Sequence, residues 1–258
     1  MYPNCADAIS KSGMSGQKKK QALGKQSLGK VDKEKQADTL QRIKDIIKIC
    51  IKYSMTGEKR MYVLSEAIKE VKRKSLDGDF VECGIWKGGN IILFQKLNNL
   101  FNLKKKIFAF DTFEGMPAPN EFDKDIDNVL ASDLMLKSEK NLNLNNIHCY
   151  SPYEDVVNNI SKHVDTANIK FIKGKVEETL LDDKNLPEKI SILRLDTDFY
   201  SSTKIELEIL YKRLVKGGIL IIDDYGHWKG VRKAVDEFFN DQEWLHYVDY
   251  TCRYIIKK

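Results

Sequence analysis

The sequence is poor in cysteine and contains no long hydrophobic run. Its 258 residues include five cysteines, which lie far apart in the chain: Cys5, Cys50, Cys83, Cys149 and Cys252. No CxxC pair and no Cys/His ligand spacing occurs, so we expect neither a disulfide framework nor a zinc site. A reducing cytoplasm fits this pattern best.

A membrane span needs about 18 consecutive apolar residues, and no run in the sequence approaches that length. The first thirty residues also lack the apolar segment of a signal peptide. We therefore expect a cytoplasmic protein that is neither secreted nor membrane-spanning. The 42% hydrophobic content is ample for the core of one large domain.

Basic charge is concentrated at the N-terminus. Residues 1–37 contain eight lysines and three acidic residues, whereas the rest of the chain has 35 basic and 35 acidic side chains. The neutral remainder argues against a nucleic-acid-binding face, which needs clustered Lys and Arg on ordered structure. The tail is rich in Lys, Gln, Ser and Gly. We predict a disordered, solvated extension, with contact to an anion or a partner as the alternative.

Two helical segments follow the tail. Between residues 38 and 53, apolar residues fall on one helical face at Leu40, Ile43, Ile47 and Ile51. This helix could pack on the core or join two subunits, so a homo-oligomer stays open. A second helix is predicted for Arg60–Lys74. We assign residues 38–75 to an N-terminal helical segment and 76–258 to the main domain.

After residue 76, buried strands and helices alternate. The apolar runs that predict strands are Phe80–Gly84, Ile107–Asp111, Ile169–Ile172, Ile190–Leu195 and Ile219–Ile222. The helical patterns are Gly89–Leu100, Val176–Leu181, Ser202–Leu214 and Gly230–Phe239. This alternation predicts an α/β fold with a doubly wound, Rossmann-like sheet. Trp244–Asp249 and Cys252–Ile256 predict a final antiparallel hairpin.

A polar segment, residues 112–150, is too long for an ordinary strand-to-helix loop. It contains Pro117, Pro119 and many Asn and Asp residues. It follows the end of a predicted strand, where ligands bind in open α/β sheets. We interpret it as a lid or substrate-binding insertion.

The first predicted strand leads into a glycine-rich turn. Gly84, Gly88 and Gly89 follow a G-x-x-x-G-G spacing rather than the G-x-G-x-x-G that binds a pyrophosphate. Glu82 adds a negative charge, which disfavours a phosphate and favours a cofactor with a cationic group, such as S-adenosylmethionine. A purely steric turn with a solvated Glu82 is the alternative.

Two further strand ends suit an adenosine site. Asp111 closes the second strand, 27 residues after Gly84. An acidic residue there can accept both ribose hydroxyls, although Asp also caps turns freely. The segment after the third strand, which includes Val176, is where an adenine edge would lie.

Aspartates end the fourth and fifth predicted strands. Asp196 follows the fourth strand, and Asp223 and Asp224 follow the fifth. The carboxyl ends of neighbouring parallel strands share one edge of the sheet, so these three carboxylates can converge. Carboxylate oxygens select Mg²⁺, with Mn²⁺ or Ca²⁺ also suited, and His227 lies nearby in the sequence. Helix capping by the aspartates is the alternative.

These segments resemble the macrocin O-methyltransferase family. The resemblance runs from about Arg60 to Lys258, and the first 50 or so residues carry none. Its motifs are DFVECGIWKGG (79–89), FDTFEGMP (110–117), LDTDFYSST (195–203) and DDYGHWKG (223–230). On this basis the cofactor-binding residues are Glu82, Gly84, Trp86, Gly88, Gly89, Asp111, Thr112 and Val176.

The resemblance implies a seven-stranded methyltransferase sheet whose last strand is antiparallel. It also implies methyl transfer from S-adenosylmethionine to a sugar or glycoside hydroxyl, Mg²⁺ at Asp196, Asp223 and Asp224, and Asp198 as general base. Three other functions stay open. They are methylation of a catechol-like phenol, a nicotinamide-dependent dehydrogenase, which the first turn disfavours, and a non-catalytic protein that keeps the fold.

Overall fold

The computed structural model describes residues 34, 36–141, 145–240 and 242–258. The predicted disordered tail, 1–37, lies outside them except for residues 34, 36 and 37, which are helical. The chain forms two compact units, Met1–Asp45 and Ile46–Lys258. Helix α1 (residues 36–50) crosses their boundary. In the first unit, Arg42 pairs with Asp38 one helical turn away at 2.9 Å.

A seven-stranded sheet forms the centre of the second unit. Its strands are β1 (Asp79–Cys83), β2 (Ile107–Asp111), β3 (Ile169–Lys173), β4 (Ile190–Leu195), β5 (Leu214–Ile222), β6 (His246–Tyr247) and β7 (Arg253–Ile256). The strand order is β3-β2-β1-β4-β5-β7-β6, with β1 to β5 parallel and β7 antiparallel to both neighbours. The predicted doubly wound sheet with one antiparallel strand is confirmed.

Seven helices of the second unit connect these strands or precede them, within the part of the chain that the structure describes. They are α2 (Glu58–Lys74), α3 (Gly89–Leu100), α4 (Ala131–Leu136), α5 (Tyr153–Ser161), α6 (Val176–Thr179), α7 (Tyr200–Leu210) and α8 (Lys229–Phe239). Short 3-10 turns cover Ile51–Tyr53, Asp183–Asn185 and Tyr211–Arg213. No helix among the described residues is long and apolar enough to cross a membrane.

Apolar residues at helical spacing explain why α2 packs on the core. Its buried apolar side chains include Met61, Leu64, Ile68 and Val71. The helix ends where Ser75 adopts a left-handed conformation, with φ of 50°, and donates its N–H to the carbonyl of Lys72. Helix α2 is therefore part of the folded core of the second unit.

The central strands are apolar because other elements cover both faces of the sheet. Every residue of β4 is buried, and β1 is buried from Phe80 onward. Two charged residues interrupt these apolar runs, Arg194 in β4 and Glu82 in β1, and the two stand opposite each other in the parallel register. They anchor the polar network described below.

The C-terminal hairpin is shorter than the sequence predicts. Within the hairpin, β6 and β7 pair only at His246 with Tyr254 and at Tyr247 with Arg253. A turn occupies the residues between the two strands. The Asp249 carboxylate accepts the N–H groups of Thr251 and Cys252 at 3.0 and 2.9 Å. Side-chain bonding of this kind competes with the strand ladder and ends it.

The first half of the insertion, residues 112–150, is tied to two helices. The Asp123 carboxylate accepts the N–H of Tyr200, the first residue of α7, at 2.7 Å. The carbonyl of Lys124 accepts the N–H of Lys229, the first residue of α8, at 2.8 Å. This half is an anchored platform, and the lid role of the insertion stays a prediction.

Candidate active site

A cavity of about 370 Å³ lies at the carboxyl ends of the parallel strands. Residues at the ends of β1, β2, β4 and β5 line it, namely Gly84, Asp111, Asp196 and Asp224. β1 and β4 are neighbours although the chain forms β2 and β3 between them, so the strand order reverses here. Ligands of open α/β sheets bind at such a reversal, and the volume suits a small molecule.

Asp111 shapes the turn that follows β1. One of its carboxylate oxygens accepts the N–H groups of Ile85 and Trp86 at 2.8 and 3.0 Å. The other accepts the N–H of Phe113 at 2.7 Å. Burial raises the pKa of Asp111, and these three hydrogen bonds oppose that effect. The side chain organises the cavity wall, while its predicted contact with ribose stays a prediction.

Gly84 holds the ends of β1 and β4 together. Its φ is +80°, and a Cβ at this position would collide with the carbonyl oxygen of Asp196. Gly88 and Gly89 begin α3, where a Cβ would meet the side chain of Ile160 and the carbonyl of Cys50, respectively. The structure gives these two glycines a packing role, and their cofactor contact stays a prediction.

Three other predicted cofactor residues, Trp86, Thr112 and Val176, line the cavity. Trp86 is buried, and its backbone has φ of 45°. Its indole N–H has no hydrogen-bond partner among the described residues. A buried donor without a partner costs free energy, so this N–H marks a place where a ligand can supply an acceptor.

Glu82 lies beneath the cavity, fully buried, rather than in its wall. Oε1 accepts hydrogen bonds from Arg194 at 2.6 Å and from the amide of Asn90 at 3.0 Å. Burial raises the pKa of Glu82 to about 7, although the Arg194 guanidinium lowers it. The predicted solvated alternative for Glu82 is wrong, because its charge is held by a buried arginine.

Three carboxylates converge at the other end of the cavity. Oxygen atoms of Asp196, Asp198 and Asp224 lie within 4.8 Å of one another, and all three residues are half-buried. Burial and mutual repulsion raise the pKa of Asp198 and Asp224. Burial likewise raises the pKa of Asp196, which the Arg194 guanidinium opposes. Oxygen donors at this spacing suit a hard divalent cation.

Asp223 departs from the predicted ligand set. Its carboxylate is 1% exposed and forms ion pairs with Arg194 and Arg60 on opposite oxygens. The structure therefore groups Asp198 with Asp196 and Asp224, whereas the sequence predicted Asp223 in that place. The physical reason is that two guanidinium groups neutralise Asp223 locally. A cation contact of Asp223 stays a prediction.

Sequence analysis missed the two arginines of the site. Arg194 also pairs with Asp196 at 2.7 Å, and Arg60 also pairs with Asp249 at 3.2 Å. Arg194 carried a usable signal, because it stands among buried strand residues two positions before a predicted ligand. Arg60 carried none, because it contacts Asp223 across 163 positions of sequence.

A family profile described as macrocin-O-methyltransferase (TylF) matches residues 9–257. The chain belongs to this family. The match extends well before Arg60, so the expectation that the first 50 or so residues carry no resemblance was wrong. The predicted family is therefore confirmed, and the relatives described below are named O-methyltransferases.

Curated relatives support the assignment. The chain is 30% identical over 178 residues to the 8-demethyl-8-(2,3-dimethoxy-α-L-rhamnosyl)-tetracenomycin-C 4'-O-methyltransferase of Streptomyces olivaceus, covering 68% of this chain and 63% of the relative. It therefore spans less than two thirds of that relative. It is 28% identical over 193 residues to the mycinamicin III 3''-O-methyltransferase of Micromonospora griseorubida, covering 73% and 70%.

Solved structures confirm the fold. The O-methyltransferase NovP superposes with a TM-score of 0.68 and 26% identity, covering 80% of this chain and 82% of NovP. The calicheamicin methyltransferase CalS11 gives a TM-score of 0.61 at 18% identity, covering 86% and 92%. The seven-stranded sheet described above is therefore a methyltransferase fold, as in NovP.

Proposed function

We propose that this chain transfers a methyl group from S-adenosylmethionine to a hydroxyl of a sugar or glycoside with the help of a divalent cation. The observation that carries the proposal is the convergence of Asp196, Asp198 and Asp224 in the wall of the cavity that the glycine turn also lines. A sugar acceptor is supported by the relative named for 4'-O-methylation of a rhamnosyl-tetracenomycin.

The acidic edge carries a surplus of negative charge. Five carboxyl groups are gathered around two guanidinium groups: Glu82, Asp196, Asp198, Asp223 and Asp224 around Arg60 and Arg194. Clustered carboxylates repel one another unless cations join them. A divalent cation together with the cationic sulfonium of S-adenosylmethionine would offset this surplus, so the residues present fit both groups.

Asp196 and Asp224 belong both to the predicted ligand set and to the set that the structure groups, so we propose that these two hold the cation. When bound, the cation would lower the pKa of an acceptor hydroxyl, and S-adenosylmethionine would supply the methyl group. Arg194 orients Asp196 through the hydrogen bond at 2.7 Å. Removal of either aspartate should weaken binding of the cation.

Asp198 is the proposed general base. It lines the cavity beside Asp196 and Asp224, so it can accept the proton of a hydroxyl held there. Burial raises its pKa, which makes it a stronger base than a solvated aspartate. Apolar side chains also line this cavity, namely Met116, Leu134, Ile147 and Trp228.

A methylation assay with a panel of acceptors tests the proposal. The protein is incubated with S-adenosylmethionine, Mg²⁺ and glycosides, nucleotide-linked sugars or catechols, and products are identified by mass spectrometry. We expect a methylated glycoside or sugar, and loss of product in EDTA. Methylation of catechols alone would replace the sugar acceptor. An undiminished rate in EDTA would remove the cation, and failure to bind S-adenosylhomocysteine would overturn the proposal as a whole.

A further inference from the structure

Glu206 is a buried carboxyl group that the proposed chemistry does not use. It lies on α7 and is 0% exposed. The charged groups that act on it include Glu177 and Asp196, which are acidic. Burial raises the pKa of Glu206 well above its usual range. Its role is therefore to be sought in the hydrogen bonds that it forms.

Glu206 reaches the segment that joins two aspartates of the site. The hydroxyl of Thr197 donates to Oε2 of Glu206 at 3.2 Å. Oε1 is buried without a hydrogen-bond partner among the described residues. An apolar side chain would avoid that unsatisfied oxygen, so the hydrogen bond from Thr197 is what a carboxyl group contributes here.

Thr197 is the joint between Asp196 and Asp198. Its Cγ2 lies 3.4 Å from where a Cβ on Gly84 would stand, and its carbonyl accepts the N–H of Phe199 at 2.7 Å. The next residue, Asp198, has φ of 62°, a conformation that costs a non-glycine residue free energy. Surrounding contacts must therefore hold this segment in place. One of them is the hydrogen bond that the Thr197 hydroxyl donates to Glu206.

We propose that Glu206 is a positioning residue, which holds the Thr197 hydroxyl and thereby fixes Asp196 and Asp198 in the arrangement that binds the cation and accepts the proton. The inference rests on the proposed function. Partners that orient a metal ligand through a second residue are a general feature of metal sites. The competing explanation is that Glu206 only stabilises the fold.

Three variants and a control separate these explanations. Glu206→Leu removes the hydrogen bond at similar volume, Glu206→Gln keeps a neutral acceptor, and Thr197→Val removes the hydroxyl from the other side. The control is Leu207→Ala in the same helix. Leu207 is buried in the core and does not line the active-site cavity, so its truncation leaves an empty space elsewhere in the core. Two measurements are made on the full chain: amide hydrogen exchange of residues 195–200 without metal, and calorimetric affinity for Mn²⁺ with S-adenosylhomocysteine present.

We expect Glu206→Leu and Thr197→Val each to speed exchange of residues 195–200 and to weaken Mn²⁺ binding by about tenfold. The double variant should be no worse than either single one, because both remove the same bond. Glu206→Gln should restore both properties. Leu207→Ala should lower the melting temperature and leave both unchanged.

The proposal is overturned if Glu206→Leu and Thr197→Val leave exchange and Mn²⁺ affinity as in the parent, or if Leu207→Ala reproduces their effects. It is also overturned if Glu206→Gln behaves like Glu206→Leu. If Glu206→Leu does not fold, Thr197→Val gives the decision alone. If the parent protein binds no Mn²⁺, the cation in the proposed function fails, whereas the exchange measurement still decides the positioning role.

Discussion

The backbone at Asp198 lies in the left-handed region, which residues other than glycine rarely adopt. Trp86 and Cys149, which line the same cavity, do so as well, with φ of 45° and 44°. Such conformations cost about 1–3 kcal/mol each and persist where surrounding contacts impose them. Their occurrence around one cavity supports its assignment as the active site.

Asp198→Asn should reduce methyl transfer by about a hundredfold or more, because the amide cannot accept the proton. The substitution keeps the size of the side chain, so affinity for S-adenosylhomocysteine should stay the same within error. Product formation by mass spectrometry and ligand affinity by calorimetry check both expectations. Asp133→Asn, an exposed position in α4, is the matched control. A variant at Asp198 with parental activity would exclude this residue as the base.

The effect of Mg²⁺ on melting temperature should depend on pH. Burial raises the pKa of Asp196, Asp198 and Asp224 in the folded protein. A carboxyl group with a raised folded-state pKa favours the folded state when protonated, so for Asp198 this contribution to stability falls as pH rises from about 4 to about 7. Mg²⁺ binds the ionised groups, and its stabilising shift should grow over the same range. Thermal denaturation with and without Mg²⁺ measures this, and a shift independent of pH would contradict it.

The sequence contained most of the acidic site but not its counter-charges. Asp196 and Asp224 could be placed together because strand ends of a parallel sheet meet at one edge, whereas Asp198 was assigned only through the family resemblance. Arg60 could not be placed there, because nothing local to α2 indicates a contact with β5. Asp223 is set apart from the other carboxylates because it pairs with Arg60 and Arg194, and neither contact was predicted from the sequence.

Among the elements, β1 and β4 are joined by an ion pair inside the sheet. Arg194 is buried and binds Glu82, Asp196 and Asp223, so its removal leaves Glu82 and Asp196 without a counter-charge. We expect Arg194→Met to lower the free energy of unfolding by about 3–5 kcal/mol. Urea denaturation measures the change.

The matched control for Arg194 is Arg73→Met, which removes an exposed pair with Glu70 on α2. It should change stability little, because water screens that pair. If the two variants had equal stability, the buried network would not be holding β1 and β4 together.

The insertion is attached to α7 through Asp123. Its carboxylate accepts the N–H of Tyr200 and so caps the start of a helix that lies far from it in the sequence. Asp123→Ala should cost about 1–2 kcal/mol, the usual loss for a helix cap, and should speed hydrogen exchange in residues 120–131 and at Tyr200. Asp127→Ala, an exposed position in the same segment, should do neither. Unchanged exchange in the Asp123 variant would show that other contacts suffice to fix the platform.

Element positions followed from the sequence where apolar runs were long and failed where side chains intervened. β2 and β4 lie as predicted, because each is a continuous buried run. The hairpin strands were overestimated, because Asp249 forms a turn that periodicity does not reveal. Helix α4 was hidden in a segment whose polar composition resembles a loop.

For the whole molecule, the helical segment before β1 completes the cavity. Thr56 accepts a hydrogen bond from Arg194 at 2.9 Å, and Arg60 pairs with Asp223, so both belong to the active-site network. Helix α2 also contacts α3, β4 and β5. The sequence placed a domain boundary at residue 76, which these contacts cross.

A chain that begins at Leu76 should therefore fail to bind S-adenosylhomocysteine, whereas a chain that begins at Ile46 should bind it like the full chain. The shorter chain loses the buried apolar face of α2 and leaves Asp223 and Asp249 without Arg60. Each buried aliphatic side chain contributes about 1.5–3 kcal/mol, so the combined loss is comparable to the whole stability of an ordinary domain. Circular dichroism and calorimetry compare the two chains. If the chain from Leu76 folds and binds the ligand, then α2 is an appendage and the boundary at residue 76 stands.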